Sequence, residues 1–382
     1  MRRLDVLAVE PLFGGFRRES LRGFMRHTSH RVHLLKLPPR RPQRRLIASG
    51  VWFHESICLH PPRHEVDGKV RRIRFDAVLA GDHLHLSDLQ RLHRPLQDKP
   101  AVVLHHGDGP TDLRSQTIRL NSLKSATEIW TPTAGSRDAL LEEVRQAGVQ
   151  FPALGDQTDQ VAAKVRLMAM PVEVGPPLRS IERTRRRIAV DATSPPADGV
   201  VKALHRLHER GEKFELFVIG KHGNALPADA VAQTVKSTDD LAVCQALRRC
   251  RSFLGTPTDR PFDPLAVRAL RCECWVLLHD TGPNRAILPP FHHSASLHTA
   301  DVRQIYGWLL TVLHQGLADG STREMTALLS RFDPTRATEA IDEALLDVAG
   351  ARDYIDFDFT EPKVDAGAKT KLINPTKRSS TR

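Results

Sequence analysis

The chain has 382 residues, 40% of them hydrophobic, with 56 Lys and Arg against 45 Asp and Glu, a formal net charge of +11 and a pI near 9.8. That length exceeds one ordinary core and suits two domains. No apolar run approaches the ~20 residues that span a bilayer, and the opening MRRLDVLAVE lacks a leader-type apolar region, so a soluble cytoplasmic protein with no membrane partner is expected.

Short apolar runs alternate with amphipathic ones along the chain. Strands are predicted at residues 4–9, 31–37, 75–80, 101–105 and 128–131, with helical patterns at 18–27 and 136–147. The first strand runs into Glu10-Pro11-Leu12-Phe13-Gly14-Gly15, a glycine turn of the kind that lets backbone approach closely or take positive φ. A strand at 165–170 closes the first series before a Pro/Gly linker at 171–177. A second series begins at 187–190 and continues with a helix at 199–211, a strand at 214–220 and a helix at 239–250. The reading is an α/β fold of two Rossmann-like domains facing across a cleft. Domains are set at 1–170 and 185–300, joined by a linker at 171–184. C-terminal helices occupy 301–355, with the helix near 302–315 returning to the first domain, and a basic tail at 356–382 is expected to be disordered.

Five cysteines form no CxxC pair and read as reduced core thiols. His83/His85, His105/His106 and His292/His293 bring no cysteine or acid at a recognisable ligand spacing, so no metal is expected. There is no P-loop and no Ser-His-Asp or Cys-His arrangement. His106 follows the strand at 101–105 toward the crevice, where substrate contact and a plain surface histidine are both open readings. Basic runs at Arg40, Arg41, Arg44 and Arg45, at 183–187 and in the tail, which holds six Lys/Arg against one Asp from Lys363 on, read as RNA contacts or as solvated faces.

The N-terminal half resembles the tRNA-queuosine α-mannosyltransferase family, which is of GT4-type, GT-B architecture. The likeness rests on Glu10-Pro11-Leu12-Phe13-Gly14-Gly15, Leu37-Pro38-Pro39-Arg40, Phe75-Asp76 with Gly81-Asp82, Glu128-Ile129-Trp130, and His105-His106-Gly107-Asp108. It implies transfer of a hexose from a nucleotide sugar, GDP-mannose-like, to a modified tRNA base, with no other cofactor. Gly14, Gly15, His106, Asp108, Arg260, Asp263 and Arg268 are the implied cleft residues.

The segment TPTDRPFDPLAVRALRCECW at 256–275 has the layout of the family's donor loop and helix, with a strand ending at Leu254, a loop to Phe262-Asp263 and a helix at 264–271. The resemblance puts carboxylates at the positions of Arg260 and Arg268, a third acid at Ala286, and a cationic pair where this chain reads Asp191-Ala192-Thr193-Ser194. A guanidinium only donates hydrogen bonds and keeps its charge, so it replaces no carboxylate as acceptor or base. Two functions are therefore open: a hexosyltransferase acting on tRNA, and an inactive relative that binds RNA or protein.

Overall fold

The structure, a computed structural model, describes residues 2–66, 69–105, 113–151, 157–175, 184–255, 262–315 and 323–356. The first domain is built from β1 (Asp5–Glu10), α1 (Gly15–His27), β2 (Arg31–Lys36), α2 (Pro42–Leu59) and the antiparallel hairpin β3 (Arg63–Val66) and β4 (Lys69–Arg72), which forms its own two-stranded sheet. It continues through β5 (Ala77–Gly81), α3 (Leu86–Leu92), α4 (Arg94–Gln97), β6 (Ala101–Leu104), α5 (Leu113–Ser125), β7 (Glu128–Thr131), α6 (Ala134–Gln150), α7 (Thr158–Ala162) and β8 (Val165–Leu167). Six strands lie parallel in the order β2-β1-β5-β6-β7-β8.

The second sheet, ordered β11-β10-β9-β12-β13-β14, is also parallel. Its elements are β9 (Thr184–Ala192), α8 (Asp198–Glu209), β10 (Glu215–Gly220), β11 (Val231–Val235), α9 (Asp240–Arg249), β12 (Cys250–Leu254) and α10 (Pro264–Arg271). These are followed by β13 (Trp275–His279), α11 (Gly282–Ala286), α12 (His293–Ser296), β14 (Leu297–His298), α13 (Val302–His314), α14 (Arg323–Ser330) and α15 (Pro334–Asp356). Both expected strand series are present, and the fold is α/β with two Rossmann-like domains.

Central parallel strands bury both faces, which is why they read as unbroken apolar runs. In β1, Val6 and Ala8 join one core and Leu7 and Val9 the other. In β9, Ile188, Val190 and Ala192 face one core while Ala189 faces the opposite one.

The expected return of the helix near 302–315 is not observed. Ile305, Tyr306 and Leu309 of α13 pack on α8 and β9 in the second domain, and Arg206 and Arg210 stack on the Tyr306 ring at 4.9 and 5.3 Å. The helix that crosses back is α15. Its Ile341, Leu345 and Val348 join the first domain's core with Leu21 and Phe24 of α1. The Asp342 carboxylate accepts from Ser29 N at 2.8 Å and Ser29 Oγ at 2.9 Å. Both 302–314 and 334–356 carry apolar stripes, and only the packing distinguishes their destinations.

Candidate functional site in the interdomain cleft

Ligands of open α/β sheets bind beyond the carboxyl ends of the strands. In the first domain three neighbouring strand ends deliver Glu10 from β1, Asp82 just past β5 and His105 just past β6, and all three are buried. Two guanidiniums meet them. Arg17 of α1 pairs with Asp82, lies 3.9 Å from Glu10 and reaches His83 Nδ1 at 3.3 Å. Arg119 of α5 lies 2.8 Å from His105 Nδ1 and from Glu143, and 3.4 Å from Asp82.

The glycine turn lets this happen. A Cβ on Gly14 would stand 2.4 Å from Pro39 Cγ, and Gly15 has φ +50° with open space around it. Gly14 thus supplies close approach and Gly15 the left-handed backbone. Gly81 matters equally, because its Cβ would fall 2.3 Å from Glu10 Oε2.

The charges in this cluster are unequal partners. Burial pushes the Glu10 carboxyl up to about 7 against the pull of Arg17 and the Leu12 amide. Burial also acts to raise Asp82, but Arg17, His105 and His83 together hold that carboxyl well below the usual range. Desolvation favours the neutral form and a close cation the charged one, so Arg17 keeps Asp82 ionised while Glu10 exchanges its proton near neutrality. Burial holds the His105 imidazole below its ordinary value. With Arg119 donating to Nδ1, the neutral ring is the compatible form, and His105 Nε2 has no hydrogen-bond partner among the described residues.

In the second domain, Asp191, Asp263 and Arg285 near the strand ends are occupied by the fold, while His279 and His298 at the ends of β13 and β14 meet edge to face, 5.6 Å between ring centroids, each with a buried ring nitrogen that has no hydrogen-bond partner among the described residues. Asp191 at the end of β9 accepts from Thr193 N at 2.9 Å and Thr193 Oγ1 at 2.7 Å, closing its own turn. The end of β10 approaches it through Gly220, at φ +126°, and the amides of Lys221 and His222 both donate to Ala192 O. Asp263 is the N-cap of α10, accepting from Leu265 N at 2.9 Å and Ala266 N at 3.1 Å ahead of Pro264 at the first helical position. Arg285 pairs with Asp280 through two contacts of 2.6 Å after β13, and Ala286 ends α11.

The loops beyond the two sheets meet through α1. Arg268 of α10 is buried and forms an ion pair with Glu19 of α1, with Asp240 at 3.7 Å. Arg18 donates to Thr238 O at 2.8 Å, and Phe16 packs on Phe262 at 5.2 Å between ring centroids. Burial draws the Arg268 guanidinium down to about 10, so it remains charged at neutral pH. On the other flank, Gly135 at the start of α6 touches Gly282 and Pro283 of α11.

Of the residues predicted for the cleft, Gly14 and Gly15 build its first-domain turn, Asp263 caps a helix and Arg268 is consumed in an ion pair. His106, Asp108 and Arg260 lie outside the described residues, as does the basic tail beyond 356. Arg40, Arg41 and Arg44 are exposed and Arg45 half-buried. They stand where Pro39 abuts Gly14, with Arg41 capping α2 at φ 54°. Sequence reasoning missed the roles of Glu10, Arg17, Asp82, His105 and Arg119; carboxylates and cations at successive strand ends were the available signal. The thiol expectation also needs one correction: Cys244, Cys250, Cys272 and Cys274 are buried, but Cys58 is exposed on α2.

Residues 5–172 match the family described as tRNA-queuosine alpha-mannosyltransferase N-terminal. No curated protein matches the chain in sequence. Similar solved structures include an α,α-trehalose-phosphate synthase (UDP-forming) from Burkholderia vietnamiensis, with 12% identity over 92% of this chain and 99% of that one and a TM-score of 0.61. The corresponding synthase from Burkholderia xenovorans shows 14% identity over 91% and 100%, with a TM-score of 0.60. The N-terminal domain of Candida albicans trehalose-6-phosphate phosphatase shows 10% identity over 91% and 97%, with a TM-score of 0.57. At these identities the likeness is one of fold. Among the described residues no helix is long and apolar enough to cross a membrane. The chain therefore has the two-domain GT-B fold, and its first domain, over residues 5–172, matches the N-terminal domain of the tRNA-queuosine α-mannosyltransferase family.

Proposed function

We propose that this protein is a non-catalytic member of its family that binds tRNA on the first domain. The observation that carries the reading is Arg268: at a position where the family resemblance implies a carboxylate, it is a buried cation neutralised by Glu19 across the cleft. The pair leaves neither partner as an open acceptor for a donor sugar or a counter-charge for a developing cation. Asp191, where phosphate-binding cations are implied, repels a pyrophosphate. The surface formed by Arg40, Arg41, Arg44 and Arg45 beside the Gly14 turn, together with the net charge of +11, supports RNA as the ligand.

A second reading keeps the family chemistry, with mannose moving from GDP-mannose to queuosine in tRNA. The observation favouring it is Glu10, held near neutrality at the end of β1, since perturbed groups concentrate at functional sites. A retaining transfer can lean on the leaving phosphate and on electrostatic stabilisation.

Incubation of purified protein with radiolabelled GDP-mannose and queuosine-containing tRNA separates the two; no labelled tRNA is expected, and robust turnover overturns the non-catalytic reading. Filter binding of bulk tRNA across a salt series tests the ligand. Each neutralised phosphate contributes about −0.7 to −0.9 to the log-log slope, so replacing the four arginines by Ala is expected to flatten it by about 3. Absence of binding at low salt removes RNA from the proposal.

A further inference from the structure

On α2, His54 and Cys58 stand one turn apart and therefore share a face. The residue linking α3 to α4, His93, stands against the same face. Cys58 Sγ lies 3.9 Å from His54 Nδ1 and 3.8 Å from Nε2. The rings of His54 and His93 meet edge to face with centroids 5.6 Å apart, and one ligand atom from each of the three residues lies within 4.8 Å of the other two. A tetrahedral zinc with Zn–N of about 2.0–2.1 Å and Zn–S of about 2.3 Å requires ligand-to-ligand distances of about 3.4–3.6 Å. The sulfur-to-imidazole separation is within a few tenths of an ångström of that, and side-chain rotation of His93 closes the third edge.

We propose that His54, Cys58 and His93 form a site for a borderline-soft divalent cation of the zinc type. Two imidazoles and a thiolate disfavour magnesium and calcium, which select oxygen ligands. Three protein ligands leave a fourth tetrahedral position for water or an outside ligand. Cys58 is exposed and both histidines are half-buried, so a cation reaches the site from solvent. The site is separate from the interdomain cleft. It would tie α2 to the α3–α4 junction in addition to the shared core of Phe53, Ile57, Leu86 and Leu89. The sequence signal was the His54-x-x-x-Cys58 spacing; the third ligand is supplied by the fold.

The test is cobalt titration of the full chain followed by zinc competition. A thiolate-to-cobalt charge-transfer band in the near ultraviolet, with visible bands of tetrahedral type, is expected for the wild type and should be displaced by zinc. Cys58→Ser should abolish the charge-transfer band, because the other four cysteines are buried. His93→Asn and His54→Asn should each weaken binding at least tenfold, about the effect of losing even a supporting residue at a metal site. Zinc should also raise the thermal midpoint of the wild type and not of Cys58→Ser, since only a ligand bound by the folded state stabilises it. A charge-transfer band that survives Cys58→Ser, unchanged affinity in both histidine variants, or failure of the wild type to bind either metal would overturn the proposal.

Discussion

The two sheets present their carboxyl ends to the same cleft, yet they use charge in opposite ways. In the first domain, Glu10, Asp82, His105, Arg17 and Arg119 gather over three adjacent strands, with Glu10 exchanging its proton near neutrality and a nitrogen of His105 that has no partner among the described residues. In the second, Asp191 and Asp263 serve their own turns, and Arg268 and Arg285 serve ion pairs. A perturbed polar cluster is what a site retains; satisfied caps and pairs are what a scaffold retains. On the proposed reading the first domain is the binding crevice, and in the second Asp191, Asp263, Arg268 and Arg285 are committed to turns and ion pairs, with half-buried His279 against His298, whose ring burial holds below its ordinary value.

The sharpest way to break this contrast is through Arg268. Removing one partner of a buried pair strands the other charge, so Arg268→Ala or Glu19→Ala should each cost about 3–5 kcal/mol in denaturant unfolding. Replacing both by well-packed apolar residues, Arg268→Leu with Glu19→Met, should recover most of that loss. If either single variant is as stable as wild type, the pair is not what joins α1 to α10.

Glu10 sharpens the other half of the comparison. Its folded value is about 7 against an ordinary 4.5, so the folded state binds this proton more tightly than the unfolded state. The contribution is fully present below about 4.5 and is lost as pH rises through about 7, a difference of up to about 3 kcal/mol. Glu10→Gln should therefore gain stability relative to wild type across that window. Parallel pH profiles for the two proteins would place the proton elsewhere.

Smaller effects follow from backbone geometry. Gly14→Ala should cost about 1–3 kcal/mol, because the added methyl overlaps Pro39, and it should displace the Arg40–Arg45 segment enough to weaken tRNA binding. Asp263→Ala should cost about 1 kcal/mol through the lost cap alone, with no change in tRNA binding. An equal loss of tRNA binding in both variants would erase the distinction between the domains.

Where local chemistry decided structure, it could be read in advance. Asp263 followed by Pro264 marks a helix start, and α10 occupies 264–271 as expected; the Gly14-Gly15 turn likewise behaves as its residues require. Where partners are distant, it could not. Arg17 meets Asp82 across 65 positions, and Arg268 meets Glu19 from the far domain. Helix α2 was hidden behind a basic run, because Arg40 to Arg45 reads as an RNA contact or a solvated face and the helix shows itself only where Phe53 and Ile57 join the core. The destinations of α13 and α15 depended on which apolar stripe fitted α8 and which fitted α1.

The central claim is that the second domain has lost its donor site, and titration calorimetry of GDP-mannose into the intact protein tests it most directly. The account predicts no saturable heat, for UDP-glucose as for GDP-mannose. Saturable one-site binding of either nucleotide sugar would contradict it and favour the catalytic reading.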